Sequence, residues 1–527
     1  MSTSDKSPDV IVIGAGPAGY VCAIRLAQLG KKVLVVERER VGGVCLNWGC
    51  IPVKALLHAA QTVRDAAEGK RMGLLFQNPE IDLVALYGWK ARIVDRLVRG
   101  IEYLFKANGV EVMTGSARFV GPEQLAVTGE QEEMLAAQQF VIATGSKPVV
   151  LPGMEPDGHA VIDSNHALKL VELPRRLAII GAGVIGLEFA TLFSRLGAKV
   201  TVLELEKQIL PGTDPELAAL LQRLMQREGI SFELGVKVSE IVRAPAVAVR
   251  YRPGADVTTK TPSADLGVNH RDTESQTNPK SEIQNPKSSV LTPDPGPYHQ
   301  DTKTPSTDPG AQTPDPDFRS IEVDKVLVAV GRRPMSDELG LEWAGVKAER
   351  GFIRVDSGYR TSNERVFAIG DVTSGPLLAH RAMAEGIALA ENIAGSGRKW
   401  KFKAMPSCVY TDPELATVGL SEPEAKAQGR AVKVARVPLS AVGRSLTLGR
   451  GEGLCKLICD AESDKVLGCA VVGPQADSLI AEAAVAVELG LTAEDLGRAV
   501  HPHPTMSELL FEAAEAIHGR AIHVANG

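Results

Sequence analysis

What the 527-residue chain lacks narrows it first. No apolar run approaches the ~20 residues that a membrane helix needs. Met1 to Pro8 are polar, with neither an apolar signal core nor an arginine-rich amphipathic presequence, so a soluble, cytoplasmic protein is expected. Basic charge is not in surplus: 58 lysines and arginines face 64 aspartates and glutamates, a net −6. That argues against nucleic acid and acidic membrane surfaces as partners. Cysteine is scarce, with seven at positions 22, 45, 50, 408, 455, 459 and 469. So few, odd in number and scattered, they exclude a disulfide framework and suit a reducing compartment with one catalytic pair. Cys455 and Cys459 fall in an alternating run, where core filling is their expected role. At this length about three domains can each bury a core.

The pair of interest lies in Gly42-Gly-Val-Cys45-Leu-Asn-Trp-Gly-Cys50-Ile-Pro-Val-Lys54. Four intervening residues are enough for a helical turn, which can bring two sulfurs to disulfide distance. Pro52 fixes the backbone near the start of a helix continuing through Val53 to Leu57. A thiol at a helix N-terminus beside a lysine is the setting that makes a reactive thiolate. The alternatives are a buried structural pair or half of a zinc site. Zinc ribbons favour two or three intervening residues and need a second pair, which the sequence does not supply; no metal is expected.

Before this stretch, Asp9-Val-Ile-Val-Ile runs as a short apolar strand into Gly14-x-Gly16-x-x-Gly19. A helical pattern follows from Tyr20 to Leu29, then a strand from Lys32 to Glu37. With strand, helix and terminal acid all in place, the glycine motif is a strong sign of a dinucleotide site. The glycines let a pyrophosphate approach the backbone at a helix N-terminus, and Glu37 can accept from ribose hydroxyls. One other stretch repeats it: Gly181-x-Gly183-x-x-Gly186 follows a strand from Arg176, and Glu204 ends the next strand, every landmark displaced by 167 residues. Two dinucleotide sites with a cysteine pair form an electron path. One nucleotide carries hydride, the other is a bound flavin, and the disulfide takes the electrons.

Elsewhere the spacing of Leu83, Leu86, Ile93, Leu97 and Leu104 predicts a helix over Met72 to Lys106. Phe140 to Ser146 reads as a strand ending at a glycine turn, and Val366 to Asp371 as another ending in Gly-Asp. Asp371 there could bond a flavin ribityl chain; the plainer reading is an ordinary turn. Pro245 to Asp317 breaks the pattern, crowded with Pro, Thr, Ser and Asp and nearly free of large apolar residues. That composition predicts a disordered insertion at about 252–317, at a hairpin tip between Ala246–Tyr251 and Ile321–Val330, with partner docking as an alternative role. From Lys401 onward strands alternate with helices without a nucleotide motif, an α+β texture. There, His501-Pro-His503-Pro-Thr-Met-Ser-Glu508 offers a proton-transfer histidine that Glu508 would orient. Thr505-x-x-Glu508 equally reads as a capping box for the next helix.

Together these stretches resemble the class I pyridine nucleotide-disulfide oxidoreductases, and within them the dihydrolipoamide dehydrogenases. The specific pieces are the Cys45–Lys54 stretch, Gly-Ala-Gly-Val-Ile-Gly-Leu-Glu188, Val-Ala-Val-Gly331-Arg-Arg-Pro334, Ala-Ile-Gly-Asp371 and His503-Pro-Thr-Met-Ser-Glu508. The resemblance implies an α/β fold of two Rossmann-like domains plus a C-terminal α+β dimerisation domain. Its parts would be an FAD-binding domain (1–150), an NAD-binding domain carrying the insertion (151–330), a central domain completing the FAD site (331–400) and an interface domain (401–527). It also implies a homodimer in which the histidine of one subunit serves the disulfide of the other.

Carried onto this chain, Cys45 would be the interchange thiol and Cys50 the thiolate against the flavin. Lys54 would lie by the flavin and pair with Glu188, while His503, held by Glu508, would be the acid–base. Thr144, Gly145 and Gly331 join the cofactor-contact residues. The implied reaction is dihydrolipoamide plus NAD+ to lipoamide, NADH and a proton, the lipoyl group arriving on lipoyl domains of 2-oxo acid dehydrogenase or glycine cleavage complexes. Val53, where Ser or Thr is common, and the bulky Trp48 are departures. The runner-up is an NADPH-dependent enzyme of the glutathione reductase type, against which Glu204 and Glu206 stand where arginines would be. From another class, a redox-inactive docking subunit is opposed by the intact Cys45, Cys50, His503 and Glu508.

Overall fold

The computed structural model describes residues 7–77, 79–254, 318–396 and 402–525. The expected insertion therefore lies, from 255 to 317, outside the described residues. Its flanks pair with each other: Val247–Pro253 runs antiparallel to Arg319–Val323, with Tyr251 opposite Arg319. Arg252 and Pro253, placed in the insertion from composition, instead sit in the first of these strands opposite Lys237 and Val236.

The first nucleotide unit is a parallel sheet in the order Val366–Ala368, Gln139–Ile142, Val10–Ile13, Val33–Glu37, Glu111–Thr114. Its central strands are nearly unbroken apolar runs because helices cover one face and the antiparallel sheet of Ser116–Gly121, Gln124–Thr128 and Glu132–Ala136 covers the other, leaving no solvent side for polar alternation. The edge strand Val366–Ala368 and the helix Ala379–Ile393 both come from the segment after residue 331, and that helix packs against Pro17–Gln28. The second unit repeats the layout, in the order Ser231–Leu234, Lys199–Glu204, Arg176–Ile180, Lys325–Val328, Val161–Ile162. The run expected as one strand from Ile321 to Val330 is two, Arg319–Val323 and Lys325–Val328, in different sheets.

The third unit is a five-stranded antiparallel sheet covered by Ala476–Leu489, Ala493–Arg498 and Glu508–Ile517. Cys455, Cys459 and Cys469 are buried in its core. The fold is thus α/β, two Rossmann-like units and a C-terminal α+β unit. Among the described residues, no helix is long and apolar enough to cross a membrane.

The helix expected from Met72 begins instead at Leu83 and ends at Ala107. Pro79 has no amide hydrogen to donate, and Asp82 caps the real start by accepting from the Ala85 amide at 2.9 Å. A short 3-10 turn, Gly69–Met72, precedes it.

The units are joined by buried charge. Lys456, 1% exposed on the C-terminal sheet, donates to Asp214 at 2.7 Å and Glu216 at 2.7 Å, and lies 2.8 Å from Glu422. Asp214 and Glu216 come from the second nucleotide unit. Removing one partner of a buried ionic cluster costs about 3–5 kcal/mol, because the other charges stay buried and unpaired. A Lys456→Met protein should therefore melt well below wild type. Hydrogen bonds from Lys426 and then Lys456 hold the Glu422 carboxyl down to about 2. Its contribution is complete above the unfolded value of ~4.3 and is lost as pH falls through the folded one. The gap between variant and wild type should accordingly close in acid; equal melting at neutral pH would refute the role of Lys456.

Candidate active site

Each nucleotide unit turns from strand to helix on a glycine held at positive φ, 97° at Gly14 and 103° at Gly181. The third glycine of each motif serves close packing of the helix, the task the motif gives that position. A Cβ on Gly19 would stand 1.9 Å from the Gly14 carbonyl oxygen, and one on Gly186 2.0 Å from that of Gly181. Neither lines the cavity described below, so Gly19 and Gly186, expected as cofactor contacts, are instead where helix and turn pack backbone to backbone. Gly16 and Gly183 begin the 12-residue helices Pro17–Gln28 and Val184–Arg195, and no side chain caps either. Their first-turn amides are left for an anion, which is what a pyrophosphate requires.

The acids ending the second strands are placed alike. Glu37 accepts from the Ala15 amide (2.7 Å) and the Glu39 amide (3.0 Å); Glu204 accepts from Ala182 (2.6 Å) and Glu206 (2.9 Å). An ionised carboxylate has about four acceptor positions, so each retains capacity for a ribose hydroxyl.

Between the two turns lies the dithiol. Cys45 sits in the short helix Gly43–Asn47, and Cys50 is the first residue of Cys50–Glu68. The buried Asn47 amide ties the loop down by donating to the carbonyls of Val41 and Gly43, both at 3.0 Å. The thiols hydrogen-bond each other, and they titrate apart. The bond from Cys45, opposed by burial and aided by Lys54, brings Cys50 down to about 7. The same bond, with burial, pushes Cys45 well above the ordinary thiol range. Cys50 is thus the more acidic of the two thiols.

Lys54, one turn after Cys50, donates to both oxygens of the buried Glu188 at 2.8 and 2.9 Å. That ion pair crosses from the first unit to the second. Beneath it Ser146 donates to Asp371 at 2.7 Å, while Arg332 donates to the Ser146 hydroxyl (2.9 Å) and carbonyl (2.6 Å). Thr144 donates to the Met335 carbonyl at 2.7 Å. Asn47, Ser146 and Arg332 were not among the residues expected from sequence. Arg332 follows Gly331 in the Gly331-Arg-Arg-Pro334 stretch, which is its signal in the sequence.

One cavity of about 1660 Å³ connects these pieces, lined by Gly14, Gly16, Glu37, Cys45, Cys50 and Lys54. Its wall continues through Thr144, Gly145 and Asp371 to Gly181, Gly183, Glu188, Glu204 and Gly331. It exceeds the roughly 300–1,000 Å³ of a single small-ligand pocket. The residues present suit FAD at the first turn and NAD at the second.

His503 and Glu508 do not line this cavity. His503 is 78% exposed, and its Nδ1 lies 2.9 Å from one Glu508 oxygen. The other oxygen accepts from the Thr505 amide at 2.9 Å. Burial works against ionisation of Glu508, yet these two hydrogen bonds hold its carboxyl below the usual range. Only half of the expected capping box exists. The helix begins after Ser507, and the Thr505 hydroxyl donates to the Pro502 carbonyl instead of accepting from the helix. His501 turns elsewhere, to Glu482 at 2.8 Å and the Ala499 carbonyl at 3.0 Å.

Electrons arriving in such a cavity on one nucleotide have two ways out, the dithiol and the other nucleotide. This is the layout of a nucleotide-linked disulfide oxidoreductase. The chain belongs to the pyridine nucleotide-disulphide oxidoreductase family, whose model matches residues 8–265 and 299–386, with its dimerisation domain matching 405–514. It is 47% identical to a dihydrolipoyl dehydrogenase of Thermus scotoductus, over 99% of this chain and 100% of that one. It is 42% identical to dihydrolipoyl dehydrogenase 3 of Pseudomonas aeruginosa, over 98% and 99%. Among solved structures it resembles the HOCl-induced flavoprotein disulfide reductase RclA of Escherichia coli (TM-score 0.76, 26% identity, 96% and 99% covered). LpdA of Mycobacterium tuberculosis shares the fold at TM-score 0.79 and 23% identity, over 96% and 99%.

Proposed function

We propose that the chain is an FAD-containing dihydrolipoyl dehydrogenase, a cytoplasmic homodimer that oxidises dihydrolipoamide to lipoamide and reduces NAD+ to NADH. Its lipoyl groups come on the lipoyl domains of 2-oxo acid dehydrogenase or glycine cleavage complexes. The observation that carries the reading is the single cavity in which Cys45 and Cys50 lie between two dinucleotide turns. The relatives' names support the substrate. The exposed Val485, Leu489 and Val500 on the C-terminal unit supply apolar surface for a second copy.

In the oxidised pair, a lipoyl thiolate attacks Cys45, forming a mixed disulfide and releasing Cys50 as the thiolate that its surroundings favour. The second lipoyl thiolate then displaces Cys45, closing lipoamide and leaving the reduced pair. His503, acting across the dimer, takes the lipoyl protons, and Glu508 fixes its ring. Lys54 keeps positive charge beside Cys50. When bound, the flavin supplies the route for the electron pair from the dithiol to NAD+.

Purified protein should reduce NAD+ with dihydrolipoamide and turn over poorly with NADPH and glutathione disulfide; the reverse pattern would overturn the reading. Nucleotide choice rests on Glu204. A 2′-phosphate ~4 Å from a carboxylate meets about 4 kcal/mol of repulsion at intermediate dielectric. Glu204→Ala should raise the kcat/KM ratio of NADP+ to NAD+ by at least about tenfold, part of that repulsion. An unchanged ratio would assign discrimination elsewhere.

A further inference from the structure

The ion pair beside the dithiol has a third member, from the third unit of the chain. Lys54 belongs to the first nucleotide unit and Glu188 to the second. Tyr410 follows the strand Ser407–Val409 of the C-terminal sheet. Its amide donates to Glu188 Oε1 at 3.2 Å, and its ring centroid lies 4.3 Å from Lys54 Nζ. All three line the cavity with the cysteines. One residue thus touches both halves of the pair, the carboxylate through its main chain and the ammonium through its ring.

A lysine ammonium is a compact charge on a flexible four-carbon stem, and this side chain is 30% exposed, so water competes for it. Two bonds to one carboxylate set its distance from Glu188 but not its distance from Cys50. An aromatic face below the ammonium supplies the missing constraint. The ring is suited to that task. Burial first, then the acidic groups around it, keeps the phenol protonated and the ring neutral. The titratable and charged groups around Cys50 are Cys45 and Lys54 beside it, Glu188 from the second unit and Arg332 from the Gly331 turn. Of these, Lys54 is the one on a long, partly solvated stem, so its placement decides how much positive charge the thiolate meets.

We infer that Tyr410 is a positioning residue, orienting Glu188 through its amide and fixing the Lys54 ammonium against the redox cysteines through its ring. The inference rests on reading Cys45 and Cys50 as the redox pair, and the test separates the two. Holoenzymes carrying Tyr410→Phe, Tyr410→Leu or Tyr410→Met would be reduced and alkylated with iodoacetamide across a pH series. Alkylation would be resolved at Cys45 and Cys50 by mass spectrometry. The Phe variant, which keeps ring and amide, should match the wild-type profile. The two ringless variants should move its midpoint upward by ~1 pH unit, because the ammonium drifts from the thiolate. The shift should disappear in a Lys54→Met background, since both changes act through the same charge. A wild-type profile in both ringless variants, or an undiminished shift without Lys54, would overturn the role. A wild-type enzyme with no thiol titrating below the ordinary range would instead refute the redox-pair reading itself.

Discussion

A Cys50→Ser protein should fold, bind nucleotide and lose dihydrolipoamide-dependent NAD+ reduction by at least about 10³-fold, because members of a catalytic unit fail together. The loss follows from what each sulfur does. Cys50 is the more acidic partner, its thiol lowered to about 7 by the bond from Cys45 with help from Lys54. A serine hydroxyl cannot form a disulfide, so a lipoyl thiolate has no S–S bond to attack. Cys45→Ser should be equally inactive, since it removes both that S–S bond and the sulfur on which the mixed disulfide would form. Neither change touches the glycine turns or the acids Glu37 and Glu204. Electron transfer from NADH to a small artificial acceptor, which bypasses the dithiol, should therefore survive in both. Measuring the two activities side by side is the check. Retention of dihydrolipoamide turnover in either serine variant would remove the dithiol from the reaction.

That pair was legible in the sequence because its chemistry is local: five residues of spacing, a proline and a lysine within one helical turn. The nucleotide units were legible for a related reason. Parallel strands buried on both faces must be apolar throughout, and the turn residues Gly14 and Gly181 adopt positive φ where a side chain would also strike the next strand's end. Gly19 and Gly186 serve backbone packing, the task of the motif's third glycine, rather than contact with a ligand. Apolar spacing alone extends the Leu83–Ala107 helix back to Met72, whereas Pro79 and the cap Asp82 mark its real start in the sequence. What the sequence hid is contact between distant segments. The Arg332–Ser146–Asp371 chain and the Tyr410–Glu188–Lys54 group each draw on three stretches of chain, and no single stretch announces the meeting.

His503→Gln should reduce dihydrolipoamide turnover by ~10²–10⁴-fold, the usual range for loss of a general acid–base, while NADH oxidation by an artificial acceptor is spared. The sharper result is expected of its neighbour. Glu508 uses its two oxygens separately, one toward His503 Nδ1 and the other for the Thr505 amide. With an ionised carboxylate, which only accepts, Nδ1 carries the hydrogen and Nε2 keeps its lone pair to receive the substrate proton. In Glu508→Gln the Thr505 N–H still demands an oxygen, which leaves the amide NH₂ facing Nδ1. The ring must then accept at Nδ1 and hold its proton on Nε2, the tautomer that cannot act as base. An almost isosteric change should therefore cost on the order of 10²-fold or more in turnover. Glu508→Asp shortens the reach by one methylene but remains an acceptor, so it should lose less than the amide. If the Gln variant stays within about threefold of wild type, far short of that loss, Glu508 is a helix-start residue and His503 is oriented by other means. If Asp is worse than Gln, distance outweighs tautomer, and the carboxylate's role is to place the ring rather than to set its protons.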